Sequence, residues 1–281
     1  MKAIDKVREI ASVLKEKNID YPEKLSQDLV CKILKIDRVK LYTENPDIDE
    51  KSLESINFMV NRLILNEPFQ YILGEIDFYN IKVKVGDGVL IPRPETEILV
   101  DEVIKRKEDI IKIGINILDI CTGSGCIAIA LAKNIPDCRV YASDISEKAI
   151  FYAKENKILN NVDNVYFVSG DLFKPFKSNS FACITANPPY IGKEEMNSLP
   201  PQIREYEPRI ALDGGKEGLQ FYRRIIKEVK KYILKNGLIF LELGINQAKH
   251  VSNMAKNEGL EIVDTVRDLA GIARVMILKR N

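Results

Sequence analysis

The 281-residue chain reads as an α/β protein: a small N-terminal helical domain, then a mostly parallel seven-stranded sheet whose last strand runs antiparallel. Three observations predict this. Apolar residues recur every three to four positions through the first part of the chain. From about residue 115, short apolar runs alternate with helical patterns. The last two runs lie too close together for a crossover helix between them.

Element by element, Ile4, Val7, Ile10, Ala11 and Leu14 form one helical stripe. Amphipathic stretches follow at residues 26–36 and 52–65, with Ser26 and Ser52 as candidate N-caps and Asn45-Pro46-Asp47 as the intervening turn. Residues 76–85 alternate through Phe78, Ile81, Val83 and Val85 as a hairpin-like segment, with Gly86-Asp87-Gly88 turning it. Strand-length runs fall at 115–120, 139–143, 165–169, 182–186 and 238–243, with helical patterns at 126–133, 147–159 and 219–235. That alternation calls for right-handed crossovers and helices on both faces of the sheet. Two closing runs, 261–266 and 273–278, are separated by too few residues for a crossover, so the last strand is antiparallel to its neighbour. The expected organisation is a helical domain over 1–75, a hairpin linker over 76–92 and the sheet domain over 93–281.

Composition narrows the function classes. Hydrophobic residues make up 46% and charged residues 30%, enough for a sizeable core. Lys and Arg number 42 against 41 Asp and Glu, a net charge of +1, which argues against a basic surface that grips nucleic acid. The five cysteines are an odd number without a CxxC pair, which speaks against a zinc or disulfide framework, and no metal is expected. The single histidine, His250, has no nucleophile turn nearby and reads as a helix-surface residue. The charged N-terminus and the lack of an 18-residue apolar run predict a cytoplasmic protein with no membrane association.

Two segments carry chemistry. Residues 117–125, Ile-Leu-Asp-Ile-Cys-Thr-Gly-Ser-Gly, leave a strand and enter a helix, where glycines let a ligand approach the backbone and the helix amides. Asp144 closes the next strand, nineteen residues past Gly125, where an acidic side chain accepts hydrogen bonds from both ribose hydroxyls of a nucleoside. Which cofactor remains open on this segment, because residues 123–128 also fit the dinucleotide pattern G-x-G-x-x-A. Asp119 tips the choice. A carboxylate just before the glycines sits badly beside a pyrophosphate and suits a cofactor carrying an ammonium and a sulfonium, S-adenosylmethionine.

The second segment is Asn187-Pro188-Pro189-Tyr190 at the end of the fourth strand. Its prolines fix φ and hold the turn rigid. The Asn187 side-chain carbonyl and the Pro188 backbone carbonyl are two acceptors that suit a planar NH2 group with two donors, and Tyr190 offers a flat apolar face. An exocyclic base amine and a side-chain carboxamide both fit.

This combination resembles the amino-methylating S-adenosylmethionine-dependent methyltransferases. More narrowly, it is similar to the peptide-chain release factor glutamine methyltransferase (HemK/PrmC) family over nearly the whole chain. The likeness includes Pro68-Phe69-Gln70-Tyr71-Ile72-Leu73-Gly74, Val89-Leu90-Ile91-Pro92-Arg93-Pro94-Glu95-Thr96-Glu97, Gly170-Asp171-Leu172-Phe173, Tyr206-Glu207-Pro208 and Asp268-Leu269-Ala270-Gly271. Two positions depart from the family pattern. Cys121 stands where the first glycine of the turn is common, and a small side chain still fits. Asn80 replaces a glycine, and asparagine tolerates positive φ.

The resemblance implies a Rossmann-like methyltransferase domain and methyl transfer to the glutamine side-chain nitrogen in the Gly-Gly-Gln loop of release factors, modulating translation termination, with S-adenosylhomocysteine as product. It implies that Asn187 and Pro188 orient the amide, with Pro189 and Tyr190 completing the substrate site. Cofactor contacts fall to Asp119, Cys121, Thr122, Gly123, Ser124 and Gly125 for the methionine part, Asp144 for the ribose, Asp171 and Leu172 for the adenine, and Asn187 at the border. Arg93 and Glu95 either shape the pocket entrance or form a structural ion pair or loop anchor. Phe69-Gln70-Tyr71 is expected at the interdomain joint, the helical domain is expected to dock the protein substrate, and the chain is expected to be a monomer. A base methyltransferase would require a base-flipping site and a basic groove. An NAD-type oxidoreductase or nucleotide-binding module would bind NAD in place of S-adenosylmethionine.

Overall fold

The structure is a computed structural model that describes residues 1–281. It falls into two units, residues 1–74 with 201–206 and residues 75–200 with 207–281.

The first unit is helical. Helix α1 (Ala3–Glu16) turns Ala3, Val7, Ile10 and Leu14 inward, as the spacing predicts. Helix α2 (Pro22–Leu34) begins earlier than expected. Pro22 lacks an N–H and its fixed φ suits the first turn; Ser26 lies inside the helix and donates to the Glu23 carbonyl instead of capping. A short helix not anticipated from the pattern, α3 (Arg38–Glu44), is capped by Asp37, which accepts from the Lys40 N–H at 2.7 Å. Helix α4 (Glu50–Ile64) is capped by Asp49, and the expected cap Ser52 is the donor, its N–H lying 2.8 Å from Asp49 Oδ1. Both misplaced caps have one cause: a better start signal, proline or aspartate, stands three or four residues upstream. Helix α5 (Phe69–Leu73) ends at Gly74, whose φ of +76° closes it.

The second unit opens with strands β1 (Glu75–Phe78) and β2 (Ile81–Lys84), an antiparallel pair. Their turn is Tyr79-Asn80, with φ of +41° and +61°, and not Gly86-Asp87-Gly88. A two-residue connection with both φ positive matches the strand twist, and asparagine enters that region readily. The segment expected as a linker is fastened down. Asn160, at the end of α9 (Glu147–Leu159), bonds both backbone groups of Lys82, and the fully buried Asn156 of α9 does the same for Lys84.

Helices α6 (Thr96–Lys105) and α7 (Lys107–Ile113) precede the main sheet and had no counterpart in the sequence reading. The sheet contains β3 (Asn116–Ile120), β4 (Arg139–Asp144), β5 (Val165–Ser169), β6 (Phe181–Ala186), β7 (Ile233–Glu242), β8 (Glu261–Arg267) and β9 (Ala273–Lys279), in the order β5-β4-β3-β6-β7-β9-β8. Only β9 is antiparallel to its neighbours, and it lies between β7 and β8. Every residue of β6 is buried, as expected where helices cover both faces of a central parallel strand. Helix α8 (Cys126–Asn134) follows β3, and α10 (Pro201–Tyr206) belongs to the helical unit. Helix α11 (Gln220–Val229) stops short of the expected residue 235 because β7 begins at Ile233, paired with Phe181. Helix α12 (Ala248–Asn257) carries His250 exposed on its surface.

The chain leaves β3 for β4 on one side, while β6 lies on the other. The carboxyl ends of β3, β4 and β6 therefore surround the switch point, where open α/β sheets bind ligands.

Candidate active site

A cavity of about 230 Å³ opens at that switch point. Cys121, Thr122, Gly123, Ser124, Asp144, Asp171, Leu172, Asn187 and Pro189 all line it, so the fold brings together segments far apart in sequence. Asp119, Gly125, Pro188 and Tyr190 do not line it.

The turn after β3 is built on left-handed residues. Cys121 has φ +58°, Gly123 +55° and Gly125 +79°. The glycine common at position 121 thus answers a backbone demand, which cysteine meets at a cost of about 1–2 kcal/mol. Gly125 is constrained by packing as well, since an added Cβ would stand 2.9 Å from Phe167 Cζ.

Asp144 is held by two backbone donors, Gly123 N–H to Oδ2 and Ser146 N–H to Oδ1, both at 2.9 Å. A carboxylate has about four acceptor sites, so lone pairs remain for two hydroxyl donors. Burial raises its pKa, and the Ser146 and Gly123 amides oppose that rise.

Asp119 lies one hydroxyl behind the cavity wall. It is fully buried, with Oδ2 accepting from Thr122 Oγ1 at 2.5 Å and Oδ1 from Thr185 Oγ1 at 2.7 Å. Burial pushes its pKa up to about 7 against the pull of those hydroxyls, and the charge of Asp144 adds to the rise. The carboxyl has no cationic side chain as partner and is held by the two threonine hydroxyls alone.

Asp171 differs from its sequence-based role in one respect. Both its oxygens accept from Arg224 Nη2 at 2.7 Å, and Lys174 pairs with it at 2.9 Å. Burial raises its pKa, but the hydrogen bonds from Lys174 and Arg224 bring the net below the usual value. Arg224 and Phe221, both on α11, also line the cavity and carried no motif signal.

At the end of β6, Asn187 Nδ2 donates to Thr96 Oγ1 at 3.2 Å, leaving Oδ1 as the amide atom available to a ligand. The Tyr190 hydroxyl lies 3.4 Å from Glu242 Oε1, and the Tyr190 carbonyl accepts from Gln247 Nε2 at 2.8 Å. Glu242 is fully buried at the end of β7. Burial pushes the Glu242 pKa up to about 7, and Oε2 is left short of hydrogen bonds. The Thr96 hydroxyl stands near enough to the same carboxyl to pull its pKa down. Sequence reasoning missed this glutamate, although a charged residue inside the apolar run Leu-Ile-Phe-Leu-Glu-Leu was a usable signal.

Arg93 bonds the buried Glu207 at 2.5 Å, and Glu207 also takes the Ile91 N–H. Arg93 is thus a loop anchor. Glu95 lies 3.7 Å from Arg274, which Asp268 also holds at 2.7 Å.

Residues 94–201 match the methyltransferase small domain, and residues 5–74 match the PrmC N-terminal domain. The chain is 52% identical to a release factor glutamine methyltransferase of Thermodesulfovibrio yellowstonii, over 100% of this chain and 99% of that protein. The chain belongs to the release factor glutamine methyltransferase family. It is also 40% identical to a family member of Clostridium acetobutylicum, again over 100% and 99% of the two chains. The methyltransferase fold is shared with a ribosomal protein L11 methylase from Lactobacillus delbrueckii subsp. bulgaricus. That match has a TM-score of 0.52 at 19% identity, over 71% of this chain and 85% of that one. A methyltransferase from Pyrococcus furiosus matches at TM-score 0.51 and 16% identity, over 83% and 100%. The narrower resemblance drawn from the motifs is therefore the family to which this methyltransferase belongs.

Proposed function

We propose that the chain transfers a methyl group from S-adenosylmethionine to the side-chain nitrogen of the glutamine in the Gly-Gly-Gln loop of peptide-chain release factors. The observation that carries this reading is the fixed Asn187, whose Nδ2 is committed to Thr96 and whose Oδ1 is left for a donor. It stands beside a cavity whose donor set fits the cofactor: Asp144 keeps acceptor capacity for ribose hydroxyls, and the buried Asp119 has no cationic side chain as partner. A pyrophosphate would meet that same carboxyl unfavourably.

When bound, S-adenosylmethionine supplies an electrophilic methyl group on its sulfonium. In the proposed assignment, Cys121, Thr122, Gly123, Ser124 and Gly125 shape the methionine end of the site, Asp119 acts on its ammonium through Thr122, Asp144 takes the ribose, and Asp171 and Leu172 border the adenine. An amide nitrogen is a weak nucleophile because its lone pair is delocalised. Asn187 Oδ1 and the Pro188 carbonyl each accept one of its N–H bonds, which fixes the amide plane and aims the nitrogen at the methyl carbon. Pro189 and Tyr190 wall that position. Bound S-adenosylmethionine would give up its methyl group and keep the S–C electron pair, and the nitrogen held by Asn187 and Pro188 would take the methyl and lose one proton. Orientation of this kind supplies several kcal/mol without a general base. The helical unit, residues 1–74, provides docking surface for the release factor, and the enzyme acts as a cytoplasmic monomer without a metal.

The test is tritium transfer from labelled S-adenosylmethionine to a purified release factor, lost when the glutamine of its Gly-Gly-Gln loop is changed to alanine. Asn187→Ala should abolish turnover while the cofactor Kd stays within a few-fold. Absence of transfer to the intact factor overturns the reading, and label entering DNA or RNA in its place favours a base methyltransferase.

A further inference from the structure

Tyr190 closes the Asn187 turn, and one short stretch at and after the end of β7 holds it. The Glu242 carboxyl accepts from its hydroxyl at 3.4 Å, and Gln247 Nε2 donates to its carbonyl at 2.8 Å. Gly244 leaves room for its ring, since a Cβ there would stand 3.0 Å from Tyr190 Cδ2. Gln247, at the start of α12, does most of the joining. Besides Tyr190, its Nε2 lies 3.3 Å from the Gly218 carbonyl, and its Oε1 accepts from the Gly244 N–H at 3.1 Å. One side chain thus ties the turn after β6 to the end of β7 and to the approach of α11. Neither Gln247 nor Tyr190 lines the cofactor cavity.

The partners of Gln247 are all main-chain groups, so their polarity is fixed. The two carbonyls can only accept and the N–H can only donate. The amide therefore has one satisfactory orientation, with Nε2 toward the carbonyls and Oε1 toward Gly244. The close approach is built into the chain. A Cβ at Gly218 would lie 2.2 Å from the Tyr190 carbonyl oxygen, and one at Gly214 would lie 2.8 Å from both the Pro189 oxygen and Tyr190 Cα. The peptide plane between Tyr190 and Ile191 is held at both edges, its oxygen by Gln247 and its N–H by the Leu212 carbonyl at 2.9 Å. Between that plane and the Pro188 carbonyl, only the ψ of Pro189 and the φ and ψ of Tyr190 are free to turn, because the Pro189 ring fixes its own φ. A shift at the Tyr190 oxygen thus passes back along the turn to the Pro188 carbonyl, the acceptor assigned to the substrate amide.

We propose that Gln247 is a positioning residue for methyl transfer: by donating to the Tyr190 carbonyl it fixes the peptide plane that follows the turn, and with it the aim of the Pro188 carbonyl and the Tyr190 ring at the substrate amide. This inference rests on the methyl-transfer reading above. Gln247 lies outside the cofactor cavity, so its loss acts on the chemical step and not on cofactor binding. Misplacing a reacting group by about 1 Å can cost about a hundredfold in rate. The same side chain lines a second, open cavity of about 740 Å³ together with Gly192, His250 and Asn253. Water entering from that side can satisfy the Tyr190 and Gly218 carbonyls once the amide is gone. Activity should therefore fall without a matching loss of fold.

The test compares Gln247→Glu and Gln247→Met with the wild type, using labelled S-adenosylmethionine and a release factor at about pH 8, well above the ordinary glutamate range. Glutamate keeps the side-chain length and an acceptor for the Gly244 N–H, but it has no NH2 and repels the two carbonyls. Methionine keeps the length and offers neither group. Both variants should lower kcat at least tenfold, with the KM for S-adenosylmethionine within threefold. Titration calorimetry should still find one S-adenosylhomocysteine bound per chain, which shows that the folded fraction is complete. Gly218→Ala crowds the same carbonyl oxygen and should give the same split between kcat and KM. Combined with Gln247→Met, it should add less than about twofold to the larger single loss, because both changes act at one point. If Gly218→Ala does not fold, the two Gln247 variants carry the test. Wild-type kcat in Gln247→Glu overturns the proposal, since the donor is then idle. So do a fall in cofactor bound per chain that matches the fall in kcat, and losses that multiply in the double variant. A wild type that fails to methylate the release factor sinks the underlying reading, an outcome distinct from all of these.

Discussion

If Asp119 supports the cofactor ammonium through Thr122, cofactor affinity must depend on pH between 6 and 7. Without ligand the Asp119 carboxyl has a pKa of about 7, raised mainly by burial. Two unit charges about 6 Å apart, at an effective dielectric of about 20, attract by about 2.8 kcal/mol, which corresponds to a downward shift of about two pK units. The pKa in the complex then falls to about 5. The sign follows: below pH 7 the free protein binds a proton that the complex releases, so affinity weakens as pH falls. From those two values, Kd should rise about fivefold between pH 7 and pH 6, and binding should release about 0.8 proton at pH 6 and about 0.5 at pH 7. The window lies below the α-amino pKa of about 7.7–8.0, so the cofactor keeps its own charge. Titration calorimetry in two buffers of different ionisation enthalpy measures both quantities. Asp119→Asn should weaken binding at pH 7 and lower the proton release, any remainder coming from Asp144, whose pKa burial also raises. A Kd independent of pH over this range, or proton release unchanged in Asp119→Asn, would refute the argument.

Further outcomes follow from individual contacts. Asn156→Ala removes bonds of 2.6, 3.1 and 3.0 Å to Lys84 N, Lys84 O and Ser124 O. At about 1 kcal/mol each, urea unfolding should show a loss of about 3 kcal/mol; a loss below about 1 kcal/mol would mean that the hairpin is held elsewhere. Gly125→Ala places a Cβ 2.9 Å from Phe167 Cζ and 3.0 Å from Ala153 Cβ at φ +79°. It should destabilise by about 2–4 kcal/mol and weaken cofactor binding; wild-type values in both assays would refute the packing argument. Cys121→Gly should bind the cofactor normally, whereas Cys121→Val should not, because φ is +58° there and a β-branched residue is strained at positive φ. Glu207→Ala strips Arg93 and the Ile91 N–H of a partner. A loss of about 2 kcal/mol is expected, smaller than for a fully buried pair because Arg93 is partly exposed.

Much of this protein was legible in its sequence, for physical reasons tied to particular residues. The strands of the parallel sheet are covered on both faces, so they appear as unbroken apolar runs; Phe181–Ala186 is buried at every position. The turn after β3 and the turn after β6 are local, so Gly123, Gly125 and Asn187-Pro188-Pro189-Tyr190 announce themselves by residue type. Asn80 likewise revealed its tolerance of positive φ, although the sequence reading put the hairpin turn at Gly86-Asp87-Gly88. The family could be named from linear motifs.

Contacts between residues distant in the chain were not legible, because no local pattern encodes the partner. Asn156 reads as one polar residue of a helix until the fold sets it against Lys84, 72 positions away. Asp171 looks like a free carboxylate until α11 brings Arg224 to it. The burial that raises Asp119 and Glu242 to a pKa of about 7 is a property of the assembled sheet and the helices that cover it. Local sequence thus determined the elements, the sheet class and the residue types at the site, since period, turn chemistry and chain order suffice for those. Tertiary structure alone decided the charge states and the hydrogen-bond directions, since these depend on which groups lose water together and which face one another once it is gone.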